Sequence, residues 1–333
     1  MPAAKRVALL AVLALAVALP WLVANPSQLN FAILVLMIAQ AGVAWNILGG
    51  YAGQVSLGHA AFYGIGAYTS TKLLLAWGLS PWLGMLAGGL VAVAFALAIG
   101  WPCFRLKGHY FAMATIAIAE ILQIVVTNTD AMGGAVGLQL PFANEGWAGF
   151  VFNRSKLPYY YIILALLLVT LSASRLIERS FLGYYFRAIK DEPDAARSVG
   201  IDLTRYKLAA IAASSFLTAL GGSFYAQKEL YIDPGSTLAT SLSIKIALVA
   251  ILGGVGTLSG PVVGAVILTA IEETTRTVFG GTGRGTDLIV YGLLIIVVAV
   301  FYPAGVVGGL RDLGRRWRGP GAAREPLPAE GER

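Results

Sequence analysis

The sequence predicts an all-α polytopic membrane protein, with about eight to ten transmembrane helices and Gly-rich broken or re-entrant segments among them. Three observations predict it. Of 333 residues, 57% are hydrophobic and 12% charged, about half the roughly 25% charge of an ordinary soluble protein. A mean hydropathy of +0.75 is more than one buried core could hide, so lipid must solvate most of the surface. The 40 glycines exceed the usual roughly 7% share and suit close helix contacts and interrupted helices.

Apolar runs of roughly 17 to 25 residues fall near 7–24, 31–49, 56–76, 82–101, 109–127, 158–176, 207–226, 241–253, 261–277 and 286–303. The run at 241–253 is short, and 50–68 is rich in Gly and polar residues, so either is expected to be a clean span or a re-entrant or broken one. Lys5-Arg6 before the first run also fits a secretory leader. The run is long for one, however, and Pro20-Trp21 offers no small-x-small cleavage site, so it is read as a retained helix.

Loop charge sets the orientation. With ten spans, 17 of the 24 basic residues fall on one set of loops and on the termini, which predicts that both termini are cytoplasmic. The net charge of +7 therefore reflects topology and not nucleic-acid binding. Cys103 is alone and there are two histidines, which argues against a disulfide within the chain and against a Cys/His metal site. Residues 1–310 read as one permease domain in the lipid bilayer, with a charged cytoplasmic loop at about 177–206. Residues 311–333 form a basic tail with too few apolar residues to fold.

Polar groups inside apolar sequence point to a path. Gly53, Gln54, Ser56 and His59 follow the second run directly, and at membrane depth each polar group needs an internal partner. They suit either a broken helix lining a water-filled path or a turn leading into a Gly-packed helix. A second break, Gly253 to Pro261, contains Gly256, Thr257 and Ser259. Both breaks open on the same tetrapeptide, Ile47-Leu48-Gly49-Gly50 and Ile251-Leu252-Gly253-Gly254, and paired interruptions mark the central path in transporters. Glu120 and Lys245 lie well inside their runs and are path candidates because intramembrane charge is costly. An interhelical pair is the alternative for each.

Within the charged loop, Asp191 suits an N-cap, Pro193 a first turn, Asp194 the position three on, and Gly200 the exit of a short helix. So short a helix is unstable alone and must dock on something.

The run from Gly50 through Gln54, Ser56 and His59 to Tyr68 resembles the signature of LivM-type permeases, the membrane subunits of bacterial branched-chain amino acid ABC importers. The resemblance continues through Tyr110 to Thr115, Arg187-Ala188-Ile189, Arg205 to Leu208 and Gly253 to Pro261, and spans roughly 30 to 300. It implies a translocation subunit in the inner membrane with four kinds of neighbour: a second related permease subunit, two cytoplasmic ATPase subunits, a periplasmic amino-acid-binding protein and lipid. Asp194-Ala195-Ala196-Arg197-Ser198-Val199-Gly200 resembles the family's Glu-Ala-Ala-x-x-x-Gly loop, which docks on the ATPase, with Asp in place of Glu. The implied coupling set is Arg187, Asp191, Asp194, Ala195, Ala196, Arg197 and Gly200. Gly133 to Gly137 and Tyr184-Tyr185-Phe186 depart from the family pattern, which loosens the expectation of substrate.

No Gly-x4-Gly-Lys phosphate loop is present, since the Gly253 to Gly260 segment has no Lys to reach a nucleotide. The chain is expected to be a transport subunit and no enzyme, binding no cofactor itself, with ATP and Mg used by the partner ATPases. The competing expectation is an ion-coupled secondary transporter of small polar solutes, with Glu120, Lys245 or Asp287 as its coupling charge.

Overall fold

The computed structural model describes residues 25–106, 108–141, 146–152 and 155–278, with parts of 11–21 and 289–309. Helix α1 (Pro26–Asn46) begins where the Asn25 side chain accepts from the Ser27 N–H at 3.0 Å and Pro26 fills the first turn. It runs into a π-type turn, Ile47–Tyr51, and the chain then breaks at Gly53, whose φ of +69° favours glycine. The next helices are α2 (His59–Trp77), α3 (Pro81–Cys103), α4 (His109–Thr127) and α5 (Leu157–Arg179). After them come α6 (Phe181–Asp191), α7 (Pro193–Ser198), α8 (Leu203–Glu229), α9 (Pro234–Thr237), α10 (Thr240–Gly253) and α11 (Gly260–Val278). Two short strands, β1 (Leu138–Gln139) and β2 (Tyr231–Ile232), pair antiparallel with Leu138 opposite Ile232.

Among the described residues, six helical segments are long and apolar enough to cross a membrane: Pro26–Tyr51, Pro81–Cys103, His109–Thr127, Leu157–Arg179, Leu203–Glu229 and Pro234–Gly253. Helices α2 and α11, 19 residues each and so about 28 Å long, have the length but carry more polar residues. The chain is thus a multi-pass, all-α membrane protein.

Lipid tails are as apolar as leucine, so helices in a bilayer associate through van der Waals contact, which rewards close approach. Glycine supplies it here. A Cβ on Gly66 of α2 would stand 2.0 Å from the Ala219 carbonyl of α8, and one on Gly222 of α8 would stand 1.8 Å from the Tyr63 carbonyl of α2. Helix α3 closes this group, with Gly88 against the backbone of Gly66. A second group joins α1, α10 and α11. A Cβ on Gly264 of α11 would lie 1.9 Å from the Val249 carbonyl of α10, and one on Gly42 of α1 would lie 2.9 Å from the Val249 side chain.

Several sequence expectations change in detail. The stretch 50–68 is interrupted only around 52–58 and is helical from His59, while 241–253 lies in the unbroken helix α10. The loop at 177–206 is mostly helical. Asp191 does not cap the short helix, because it closes α6, and Glu192 takes the N-cap position with extended backbone. Pro193 restricts the residue before it to that conformation, which moves the boundary one place along. Gly200 does end the turn, with φ +86° and the Ile201 N–H bonded to the Ala196 carbonyl at 3.1 Å. The tail 311–333, most of the run 286–303 including Asp287, and much of the run 7–24 lie outside the described residues.

Candidate functional site

The two Gly-rich breaks meet. Asn46 ends α1, and its side-chain amide is fully buried. Its Oδ1 accepts from the Gly256 N–H at 2.8 Å, and its Nδ2 donates to the Thr257 carbonyl at 3.0 Å. The amide thus takes the place of a peptide unit beside an irregular backbone that has no helical partner of its own. Gly50 fits this junction because it lacks a side chain: a Cβ there would lie 1.9 Å from Asn46 Oδ1 and 2.7 Å from the Gly256 nitrogen. Gly256 itself has φ +77°. The Thr257 hydroxyl donates to the Gly254 carbonyl at 2.8 Å and accepts from the Gly260 N–H at 3.1 Å, so it satisfies a free donor at the start of α11. Ser259 is exposed beside it, and its carbonyl accepts from the Val263 N–H.

His59 sits apart from that junction, in a closed network. Ser214 of α8 gives its hydroxyl proton to the Ala44 carbonyl of α1 at 2.7 Å, so its oxygen must accept from His59 Nε2, 2.8 Å away. That assigns the proton to Nε2 and leaves Nδ1 to accept from the Ser56 hydroxyl at 3.2 Å. The Trp45 indole N–H donates to the Ser56 carbonyl at 2.7 Å. His59 and Ser56 are both fully buried and fix the first break to α1 and α8. Gln54 turns back on its own loop, donating to the Ala52 carbonyl at 3.1 Å.

The charged loop reaches the junction through one residue. Lys190, on the last turn of α6, donates to the Gly50 carbonyl at 2.9 Å. Gly53 gives its stem room, for a Cβ there would lie 2.9 Å from Lys190 Cγ. Beyond it, Ala196 of α7 is buried against Ile189 and Leu203. Asp191, Asp194, Ala195, Arg197 and Gly200 face outward, and Val199 is 77% exposed. Arg187 donates to the Glu178 carbonyl at 2.9 Å and lies over the Tyr184 ring. The short helix therefore packs one face on its own chain and leaves the other uncovered. Together with Gln54, Arg105 and Lys207 it borders a polar cleft of about 470 Å³.

Residues 27–299 match the family described as "Branched-chain amino acid transport system / permease component". The chain belongs to that family. Relatives of this branched-chain amino acid permease family include the high-affinity branched-chain amino acid transport system permease protein LivM of Salmonella typhimurium. It is 30% identical, over 91% of this chain and 75% of the relative. LivM of Escherichia coli is 29% identical over the same shares. The permease protein LivH of Salmonella typhimurium is 24% identical over 81% of this chain and 91% of its own length, so the family's relatives of this chain include two kinds of permease protein. No solved structure matches.

In this member of the permease family the two charges singled out from the sequence, Glu120 and Lys245, lie away from the junction. Glu120 on α4 accepts from the Thr240 hydroxyl at the start of α10. Lys245 on α10 pairs with Glu272 on α11. The residues that sequence reasoning missed are Asn46, which holds the junction, Lys190, which ties it to the loop, and Ser214, which orients His59. Asn46 offered one faint signal, a neutral amide at the C-terminal end of an apolar run. Ser214 had no such signal, because a serine in a helix readily satisfies itself on its own backbone.

Proposed function

We propose that this chain is the membrane-spanning permease subunit of an ATP-driven importer and translocates branched-chain or related amino acids delivered by a periplasmic binding protein. In this reading it lies in the bacterial cytoplasmic membrane with both termini on the cytoplasmic side. It pairs with a second, related permease subunit and with two cytoplasmic ATPase subunits, which use ATP and Mg.

The observation that carries the reading is the hydrogen bond from Lys190 to the Gly50 carbonyl. Through it, the loop that would meet the ATPase lies within one contact of the point where both helix breaks are joined. Closure of the ATPases on ATP would displace the exposed face of α7. The packing of Ala196 on Ile189 and Leu203 would carry that displacement to α6, and Lys190 would pass it to Gly50. Since Gly50 has no clearance from Asn46 and Gly256, the two breaks would shift together. ATP free energy is then spent on a difference between two arrangements of the junction, without nucleotide touching this chain.

The test is uptake by the assembled transporter in proteoliposomes. Uptake of labelled leucine that needs ATP, the binding protein and the ATPase subunits supports the reading. Uptake that persists without ATPase subunits and collapses with the ion gradient overturns it in favour of ion-coupled transport.

A further inference from the structure

A cavity of about 220 Å³ opens among α1, α2, α8, α10 and α11, and it is lined by Lys245, Glu272, Glu273, Thr269, Met37 and Leu242 among others. Three of these helices, α1, α10 and α11, also form the junction of breaks at their ends, and the cavity lies further along them. Lys245 lies eight residues before Gly253 and Glu272 twelve after Gly260, about 12 and 18 Å along their helices and on the side away from the charged loop.

Three properties of this cavity ask for a ligand. Stability does not account for the Lys245–Glu272 pair, because an ion pair taken from water into a membrane protein roughly breaks even with apolar residues of the same volume. The Thr269 hydroxyl is 4% exposed and has no hydrogen-bond partner among the described residues. Of the remaining wall, Leu34, Met37, Ile38 and Leu242 form an apolar part, and Tyr63, Tyr225 and Ser236 complete it. A cation and a carboxylate beside aliphatic side chains are complementary to a small zwitterion with an apolar tail. At about 220 Å³ the space is below the roughly 300 Å³ at which pockets begin to take drug-sized molecules.

We infer that this cavity is a binding site for a free aliphatic α-amino acid within the membrane-spanning part of the chain. Lys245 receives the carboxylate, Glu272 receives the ammonium group, and the apolar wall receives the side chain. The incoming zwitterion replaces each half of the Lys245–Glu272 pair with an equivalent partner, so the site exchanges ion pairs and strands no charge. The inference rests on the transport reading above and adds to it a stopping place between the binding protein and the junction.

The test uses the full transporter in nanodiscs, without binding protein, and measures binding of tritiated leucine, leucinamide and 4-methylpentanoate. Leucine should bind at least tenfold tighter than either analogue, since each lacks one of the two charges. The variant Lys245→Met with Glu272→Gln removes both partners of the pair together, and its elution with the partner subunits reports folding. It should weaken leucine at least tenfold and abolish the preference over both analogues. Unchanged leucine binding in that assembled variant would overturn the site while leaving the transport reading intact. A wild-type transporter that moves no aliphatic amino acid in proteoliposomes would overturn the transport reading itself, and the site with it.

Discussion

Asn46 holds Gly256 at 2.8 Å across the two helix breaks, and the same side chain returns a hydrogen bond to the Thr257 carbonyl. One amide thereby satisfies a donor and an acceptor of a backbone that has left the helix.

Replacing Asn46 with Leu keeps the volume and strands both groups. An unpaired buried polar group costs about 1–3 kcal/mol, so the variant should melt at lower temperature and transport poorly. Asn46→Asp keeps the acceptor for Gly256 but loses the donor to Thr257, and it should fall between the two. Thermal unfolding in detergent, read beside leucine uptake, ranks the three proteins. Equal melting of the Asn46→Leu variant and the wild-type chain would remove the junction as a structural element.

Gly50→Ala should be as damaging as the loss of Asn46. The added methyl has nowhere to go: it lies 1.9 Å from Asn46 Oδ1 and 2.7 Å from backbone. Uptake should fall by at least tenfold, and combining it with Asn46→Leu should add little, because both act on one contact.

Lys190→Met keeps the stem that passes Gly53 and removes the bond to the Gly50 carbonyl. The ATPase should still co-purify, since the exposed face of α7 is untouched. ATP hydrolysis should continue while leucine uptake drops several-fold. A parallel loss of assembly would place Lys190 in docking instead of transmission.

Reversing Asp194 and Arg197 together, as Asp194→Lys with Arg197→Glu, should do the opposite. Both side chains are exposed, so the fold should change by no more than about 0.5 kcal/mol. Recovery of the ATPase with this chain should fall sharply. Unchanged co-purification would count against α7 as the docking helix.

Much of the architecture could be read from the sequence because a bilayer leaves few choices: an apolar run long enough to span must be helical, and a Gly-rich interruption must find partners. The repeated Ile-Leu-Gly-Gly tetrapeptide likewise pointed to two places that meet at Asn46. Which residue joins them was hidden, since attention to ionisable groups passes over neutral amides such as Gln40 and Asn46, although both are fully buried, Gln40 bonded to α8 and Asn46 to the second break. The cap at Glu192 was hidden for another reason. Asp191 has the better capping side chain, but Pro193 dictates the backbone of its neighbour, and conformation outweighed propensity. His59 illustrates a third limit: its two partners, Ser56 and Ser214, are 158 residues apart in sequence, and only the packed helices bring them to one ring.

The glycine contacts between α2 and α8 lock the two helices in register. With Gly66 against Ala219 and Gly222 against Tyr63, neither helix can slide past the other without driving backbone into backbone. Helix α3, with Gly88 on the backbone of Gly66, joins them in one close-packed group.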